Sequence, residues 1–119
     1  MRPVLIVTLV SLGASAQAPE KKDLRAFFQA NCVVCHGADG SARAADGRRL
    51  KGQDFTDAKD MKEMSDAKLA KTIRKGLFFG IRMPAFKDQL SEEEALALVQ
   101  QVLRHAEKGK AIAPEAKNK

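Results

Sequence analysis

The chain has 119 residues, of which 45% are hydrophobic and only two are cysteines. This length indicates a single domain with a small apolar core, which a bound cofactor or a covalent cross-link would help to stabilise. The formal net charge of +6 at pH 7 is compatible with nucleic acid, an anionic membrane or acidic proteins as partners, and charge alone does not choose among them. Acidic and basic residues are interleaved along most of the chain and no nucleic-acid recognition motif is present, so nucleic acid is not expected as a partner.

Residues 1–18 have the features of a cleaved signal peptide. Arg2 supplies a positive start, an apolar run extends from Val4 to Leu12, and Ala16-Gln17-Ala18 has small residues at both positions that determine cleavage. The alternative is an uncleaved membrane anchor, but the apolar run is much shorter than the roughly 20 residues that span a bilayer. We therefore expect export of the protein and no stable membrane insertion after cleavage.

The rest of the chain divides into a domain over residues 19–106 and a tail over residues 107–119. The tail is polar and contains Gly109 and Pro114, a composition typical of flexible chain ends. The domain contains three helical patterns and no sustained alternation of β-branched residues. These patterns predict an all-α fold.

The first two predicted helices begin near Lys21 and at Ser65. The first runs to Asn31, and its apolar face consists of Leu24, Phe27 and Phe28. Ser65 is a favourable N-cap for the second helix, which Gly76 is expected to end.

The last predicted helix has the clearest start. Ser91 and Glu94 are spaced as a capping box, and Gly109 stands where the sequence predicts the end of the helix. Its apolar stripe consists of Leu96, Val99, Val102 and Leu103.

The segment Cys32-Val33-Val34-Cys35-His36 has the C-x-x-C-H pattern that attaches haem. Two thiols separated by two residues on a helical turn can add to the two vinyl groups of one haem as thioethers. The next residue, His36, is then placed where its imidazole can bind the iron as the proximal ligand. We therefore predict one covalent haem c, bound through Cys32 and Cys35, with His36 on the iron.

Other chemistries for the two cysteines fit the sequence less well. A redox-active dithiol normally opens a helix after a strand, and no strand is predicted before Cys32. A zinc site needs further ligands, and outside the motif only His105 supplies an imidazole. A structural disulfide leaves the adjacent His36 unexplained. The dithiol is the next alternative after haem attachment.

Four residues are candidates for the second axial ligand of the iron: Met61, Met64, Met83 and His105. Met83 precedes Pro84 in a glycine-containing loop, and proline favours an extended conformation that can lie across the distal haem face. Met61 and Met64 are better explained as adaptable packing side chains. His105 stands near the end of a helix, where a cation is favoured in any case. Met83 is therefore the predicted ligand.

The motifs together resemble the small monohaem class I cytochromes c of bacterial periplasms and photosynthetic lumens. Three segments carry the resemblance in the family's order: residues 28–40 around the C-x-x-C-H motif, Met83-Pro84-Ala85-Phe86, and Leu90-Ser91-Glu92-Glu93-Glu94. The resemblance implies the class I cytochrome c fold, with three to four short helices around one haem, and the axial pair His36 and Met83. Where the family commonly has a proline whose carbonyl orients the proximal histidine, this chain reads Gly47-Arg48-Arg49-Leu50, which leaves the partner of His36 open.

The resemblance also implies a function. We expect a periplasmic, monomeric one-electron carrier, not an enzyme, that shuttles electrons between exported or membrane-bound redox proteins. Lys75, Arg82 and Lys87 flank the Met83 loop and are expected to guide an acidic docking surface of the partner. Two alternatives stay open: a haem-bearing subunit of a larger periplasmic oxidoreductase, and an enzyme or sensor with an open iron site that Met83 does not bind.

Overall fold

A computed structural model describes residues 21–115 of the protein, so the predicted signal peptide lies outside the described residues. The α-helices are α1 (Leu24–Asn31), α2 (Val33–His36), α3 (Ala58–Glu63), α4 (Asp66–Lys75) and α5 (Glu92–Gln101), and a 3-10 helix (Leu103–His105) follows α5. Within residues 21–115 there is no β-strand, and only two isolated antiparallel bridges pair the backbone. The prediction of an all-α fold is confirmed. None of the described helices combines the length and the hydropathy needed to cross a bilayer.

Helix α1 begins slightly later than the sequence predicted, because Asp23 is its N-cap. The Asp23 carboxylate accepts a hydrogen bond from the backbone N–H of Ala26 at 3.0 Å. The predicted apolar face is confirmed: Leu24 and Phe28 are buried, and Phe27 is partly buried against the core.

Two short helices, α2 and α3, were not among the three helical patterns of the sequence. Helix α2 is a single turn that carries every residue of the C-x-x-C-H motif after Cys32. Helix α3 is capped by Asp57, whose carboxylate accepts from the backbone of Lys59 and Asp60. Both helices are shorter than the window over which a helical period can be detected.

Helices α4 and α5 start as predicted. Ser65 caps α4 by accepting from the N–H of Lys68 at 3.1 Å, and Gly76 ends this helix with a φ of 73°. At α5, Ser91 and Glu94 form both hydrogen bonds of the capping box, each 3.0 Å long.

The end of α5 differs from the prediction. The helix ends at Gln101, and the chain tightens into the 3-10 helix, whereas the sequence predicted that the helix would continue to Gly109. Val102 and Leu103, at the change of helix type, are both buried, so the tighter turn keeps two adjacent apolar side chains in the core. Gly109 instead forms a separate turn with a φ of 88°.

Helix α5 packs against both α4 and α1, and the core lies between them. The largest fully buried side chains are Phe28, Leu90, Leu98 and Val99. Leu98 was missing from the predicted stripe, whereas Leu96 is only partly buried. The buried face of α5 is therefore rotated from the predicted one towards Ala95 and Leu98.

The C-terminal segment packs against the domain. Ile112 is buried in the core, and its N–H donates to the carbonyl of Ala38 at 2.8 Å. Arg25 Nε donates to the carbonyl of Ala113 at 2.6 Å. The sequence predicted a flexible tail from residue 107 because the segment is polar and contains glycine and proline. The packing of Ile112 was not predicted, since a single isoleucine among polar residues shows no periodicity. The packed domain extends at least to Ile112.

Candidate haem-binding site

The C-x-x-C-H motif sits at the junction of α1 and α2. Cys32 ends α1, where its N–H donates to the carbonyl of Phe28 at 2.9 Å, and the same residue begins α2. The N–H of His36 donates to the carbonyl of Cys32 at 2.9 Å. The junction thus holds two free, half-buried thiols and one half-buried imidazole within a single turn.

One pocket joins most of the predicted site residues. Its lining includes Cys32, His36 and Met83. The rest of the lining is apolar and consists of Phe28, Phe55, Ile73, Phe86, Leu98 and Leu103. Cys35 is half-buried in the same turn but does not line this pocket.

The backbone carbonyl of Gln53 orients the imidazole of His36. The Nδ1 atom of His36 lies 3.0 Å from this oxygen, so Nδ1 carries the proton and Nε2 keeps its lone pair for a metal. Burial lowers the pKa of His36, although the hydrogen bond to Gln53 acts in the opposite direction. The imidazole is therefore neutral at pH 7. Phe55 stacks on the ring, with the centroids 4.5 Å apart.

Gly52 brings this loop against the motif. Its N–H donates to the carbonyl of Cys35 at 2.8 Å, and a Cβ at this position would lie 2.4 Å from the same oxygen. The sequence left open which group accepts the hydrogen bond from the His36 imidazole. The Gln53 carbonyl could not be predicted as this acceptor, because every residue has a backbone carbonyl and residue type does not distinguish one from another. The glycine before Gln53 was the only signal that a close backbone approach occurs here.

The environment of Cys32 disfavours the dithiol alternative. Burial, together with the charge of Cys35, raises the pKa of the Cys32 thiol to about 11. Redox-active dithiols depend on a thiolate with a lowered pKa. At neutral pH the Cys32 thiol stays protonated.

The end of α4 fixes the position of Met83, which is half-buried. The N–H of Leu77 donates to the carbonyl of Met83 at 3.0 Å, in one of the two isolated bridges. Gly76 lies so close that a Cβ there would be 2.4 Å from the same carbonyl. Beyond Met83 the chain returns to α4, because Phe86 donates its N–H to the carbonyl of Ile73 at 3.0 Å.

The three other ligand candidates lie elsewhere. Met61 lies within α3 and is buried in the core, and Met64, at the C-cap of α3, packs against the core. His105 is exposed at the end of the 3-10 helix. None of these three residues lines the pocket that contains His36 and Met83.

The side chains at the site fit a covalently bound haem. Two free thiols and a neutral imidazole occupy one turn, and a thioether reaches the same pocket from the loop after α4. The close contact of Gly52 with Cys35 and His36 leaves no room for a side chain behind the motif. The apolar lining suits the faces of a porphyrin.

Known proteins similar to this chain include c-type cytochromes. The family model described as cytochrome c oxidase, cbb3-type, subunit III matches residues 19–102. Among solved structures, the c-type cytochrome KustC0563 is 28% identical with a TM-score of 0.56, and the match covers 73% of this chain and 100% of that one. A point mutant of KustC0563 is 32% identical with a TM-score of 0.57, covering 72% of this chain and 100% of that one. No curated protein matches the chain.

Proposed function

Because this chain belongs to the c-type cytochrome family that the matched model represents, we propose that it carries single electrons on one covalently bound haem c. Cys32 and Cys35 form the thioether bonds, and His36 and Met83 are the axial ligands. The observation that carries this proposal is that Cys32, His36 and Met83 line the same apolar pocket. When bound, the haem supplies a one-electron ferrous–ferric couple.

The protein's own groups set the properties of this couple. The bond from His36 Nδ1 to the Gln53 carbonyl fixes the orientation of the imidazole and raises its basicity. A thioether from Met83 favours the ferrous state relative to a second imidazole. The aromatic and aliphatic lining excludes water, which disfavours the additional charge of the ferric state.

The covalent attachment is tested by mass and absorbance. Mature protein isolated from a host with haem-attachment machinery should be coloured and heavier than its polypeptide by one haem. Cys35→Ser should retain at most one thioether, and Cys32→Ser with Cys35→Ser should yield none. A colourless protein of polypeptide mass would contradict the proposal.

The axial role of Met83 is tested by the ferric spectrum. Sulfur ligation gives a weak absorbance band in the red, and Met83→Ala should abolish this band and lower the reduction potential. Met64→Ala is the matched control, since Met64 packs against the core outside the pocket. Persistence of the band in Met83→Ala would reject Met83 as the ligand.

We place the protein in the periplasm as a monomer after removal of residues 1–18, and N-terminal sequencing of the exported protein should begin at Pro19. Its redox partners dock through acidic surfaces guided by Lys75, Arg82 and Lys87, all of which are exposed. The association rate with such a partner should fall as salt is added. A rate that does not change with salt would contradict this docking.

A second candidate function is a haem-bearing subunit of a larger periplasmic oxidoreductase. The matched family model, which is described as an oxidase subunit, favours it. In this case the mature chain should copurify with a catalytic partner in mild detergent, whereas a free carrier should elute at the size of the monomer.

A further inference from the structure

The loop between α4 and Phe86 presents large apolar side chains to solvent. Phe79 is fully exposed (105%), Ile81 is 87% exposed and Phe78 is 63% exposed. We call these three residues and the exposed Leu77 the apolar ridge. Only one other large apolar side chain among residues 21–115, Val34, is exposed to a comparable extent. A contiguous exposed apolar cluster on a small domain marks a surface that contacts a partner or a membrane.

The backbone of the ridge is held in a costly conformation. Phe78 and Phe79 have φ values of 51° and 55°, in the left-handed region that bulky residues avoid. The base of the loop is closed by the bridge between Leu77 and Met83. The closed loop therefore holds the two rings outward, where they gain nothing from the core.

The segment that contains the ridge is strongly cationic. Residues 67–87 contain six lysines and arginines and no acidic residue, and of the six only Arg74 forms an ion pair, with Glu92, among the described residues. Lys68, Lys71 and Lys75 are exposed on α4 at intervals of three and four residues, so they share one side of the helix. The Arg82 guanidinium lies 5.0 Å from the centre of the Phe78 ring, and thus a positive charge directly adjoins the exposed aromatic side chains.

These charges decide what covers the ridge. A second copy of the chain in a two-fold contact would oppose the same cations to each other, which is unfavourable. An acidic protein would neutralise them but would also need a recess shaped for the projecting Phe79. An anionic bilayer accommodates both the cations and the projecting Phe79. Its headgroups attract the cations, and its fluid interface accepts an apolar side chain without needing a preformed recess.

We propose that the apolar ridge inserts into the interface of an anionic phospholipid bilayer, with its exposed neighbouring cations on the headgroup phosphates. These cations are Lys68, Lys71, Lys75, Arg82 and Lys87. Binding is peripheral and reversible, as expected for a few partly buried side chains. It places the proposed carrier on the membrane surface with the Met83 loop toward the lipid. Membrane binding and docking of an acidic redox partner through Lys75, Arg82 and Lys87 then exclude each other, so the carrier must leave the membrane before it exchanges electrons. The proposal concerns the surface alone and does not depend on the identity of the iron ligands.

The test is cosedimentation of the mature holoprotein with two kinds of vesicle, pure phosphatidylcholine and phosphatidylcholine containing 30% phosphatidylglycerol. We expect binding to the anionic vesicles only. Phe79→Ser should weaken the partition coefficient about tenfold or more, because burial of a phenylalanine side chain contributes that much. Phe79→Trp should bind the anionic vesicles as the wild type does, since tryptophan also inserts at membrane interfaces.

A matched pair of charge reversals tests the electrostatic part. Lys71→Glu and Lys108→Glu change the net charge equally, but only Lys71 lies on the cationic side of α4. Lys71→Glu should weaken binding at least fivefold, because the loss of one cation at an anionic surface has about that effect. Lys108→Glu should weaken binding less. The absorbance spectrum of each variant verifies that the haem site is intact, which separates a failure of this proposal from a failure of the proposed function.

Three results would overturn the proposal. One is the absence of cosedimentation at low salt, and another is equal binding by the wild type and Phe79→Ser, which would mean adsorption by charge alone. The third is a change of elution size with Phe79→Ser in the absence of vesicles, which would identify a second copy as the occupant. If Phe79→Ser instead slows electron transfer to an acidic protein while neither form binds vesicles, the ridge is a protein-docking surface.

Discussion

The backbone at Gly52 lies directly behind the imidazole of His36: a Cβ built on Gly52 would be 2.6 Å from the Nδ1 atom. Gly52→Ala must therefore displace either the motif or the loop that carries the Gln53 carbonyl. We expect a loss of about 1–3 kcal/mol in the free energy of unfolding of the holoprotein. The reduction potential should rise, because an imidazole that has lost its hydrogen bond is a weaker donor to ferric iron.

Thermal unfolding and potentiometric titration measure the two effects. Gly47→Ala is the control, since a Cβ there meets nothing within 4 Å although its φ of 87° makes the substitution strained. Gly47→Ala should lower stability and leave the potential unchanged. Equal potentials for the wild type and Gly52→Ala would mean that this loop does not control the imidazole.

The sequence predicted the attachment motif and the capping of α4 and α5 because these features depend on neighbouring residues. Cys32, Cys35 and His36 form one continuous pattern, and the capping box of Ser91 and Glu94 spans a single turn. Such local features are encoded by residue type and spacing alone. They place the motif and the starts of α4 and α5.

The contacts that complete the site depend on residues far apart in the chain. The Gln53 carbonyl reaches His36 through a loop, and Ile112 enters the core beside Ala38 from the segment that was predicted to be flexible. A carbonyl has no signature in the sequence, and one isoleucine creates no period. These features required the three-dimensional structure.

Gly76 determines where Met83 lies, because a Cβ on Gly76 would be 2.4 Å from the Met83 carbonyl. In Gly76→Ala we expect the ferric band from sulfur ligation to weaken and the potential to fall, as the thioether is drawn away from the iron. Gly80→Ala provides the comparison, since Gly80 has a φ of 84° in the same loop but open space around it. If both variants change the band equally, backbone strain in the loop and not contact with Met83 is responsible.

The packing of Ile112 predicts that the C-terminal segment stabilises the loop after the haem motif. Ile112→Ala should reduce the free energy of unfolding by about 2–4 kcal/mol, because it leaves a cavity in the core. Lys110→Ala, an exposed position in the same segment, should change it by no more than about 0.5 kcal/mol. Denaturant unfolding of the holoprotein measures both. Equal stability of the two variants would show that the segment contributes little, as the sequence first indicated.

The stability of the protein in acid should depend on the ion pair between Asp66 and Arg104. Arg104 Nε donates to the Asp66 carboxylate at 2.8 Å, and the guanidinium also binds the carbonyls of Met61 and Met64. The hydrogen bonds from Arg104 and from Gln100 lower the pKa of Asp66 in the folded protein. The start of α4 is thereby tied to the segment that follows α5.

A carboxyl group whose pKa is lower in the folded state stabilises the fold above its unfolded pKa of about 4, and this contribution disappears as the pH falls through the folded pKa. The wild type should therefore be more stable than Asp66→Asn at pH 6, and the difference should shrink towards pH 3. Urea unfolding at both pH values measures the difference. Asp88→Asn, at an exposed position near the start of α5, controls for the general loss of one negative charge. A difference between wild type and Asp66→Asn that is the same at pH 6 and at pH 3 would show that the charge of Asp66 adds nothing to the contact with Arg104.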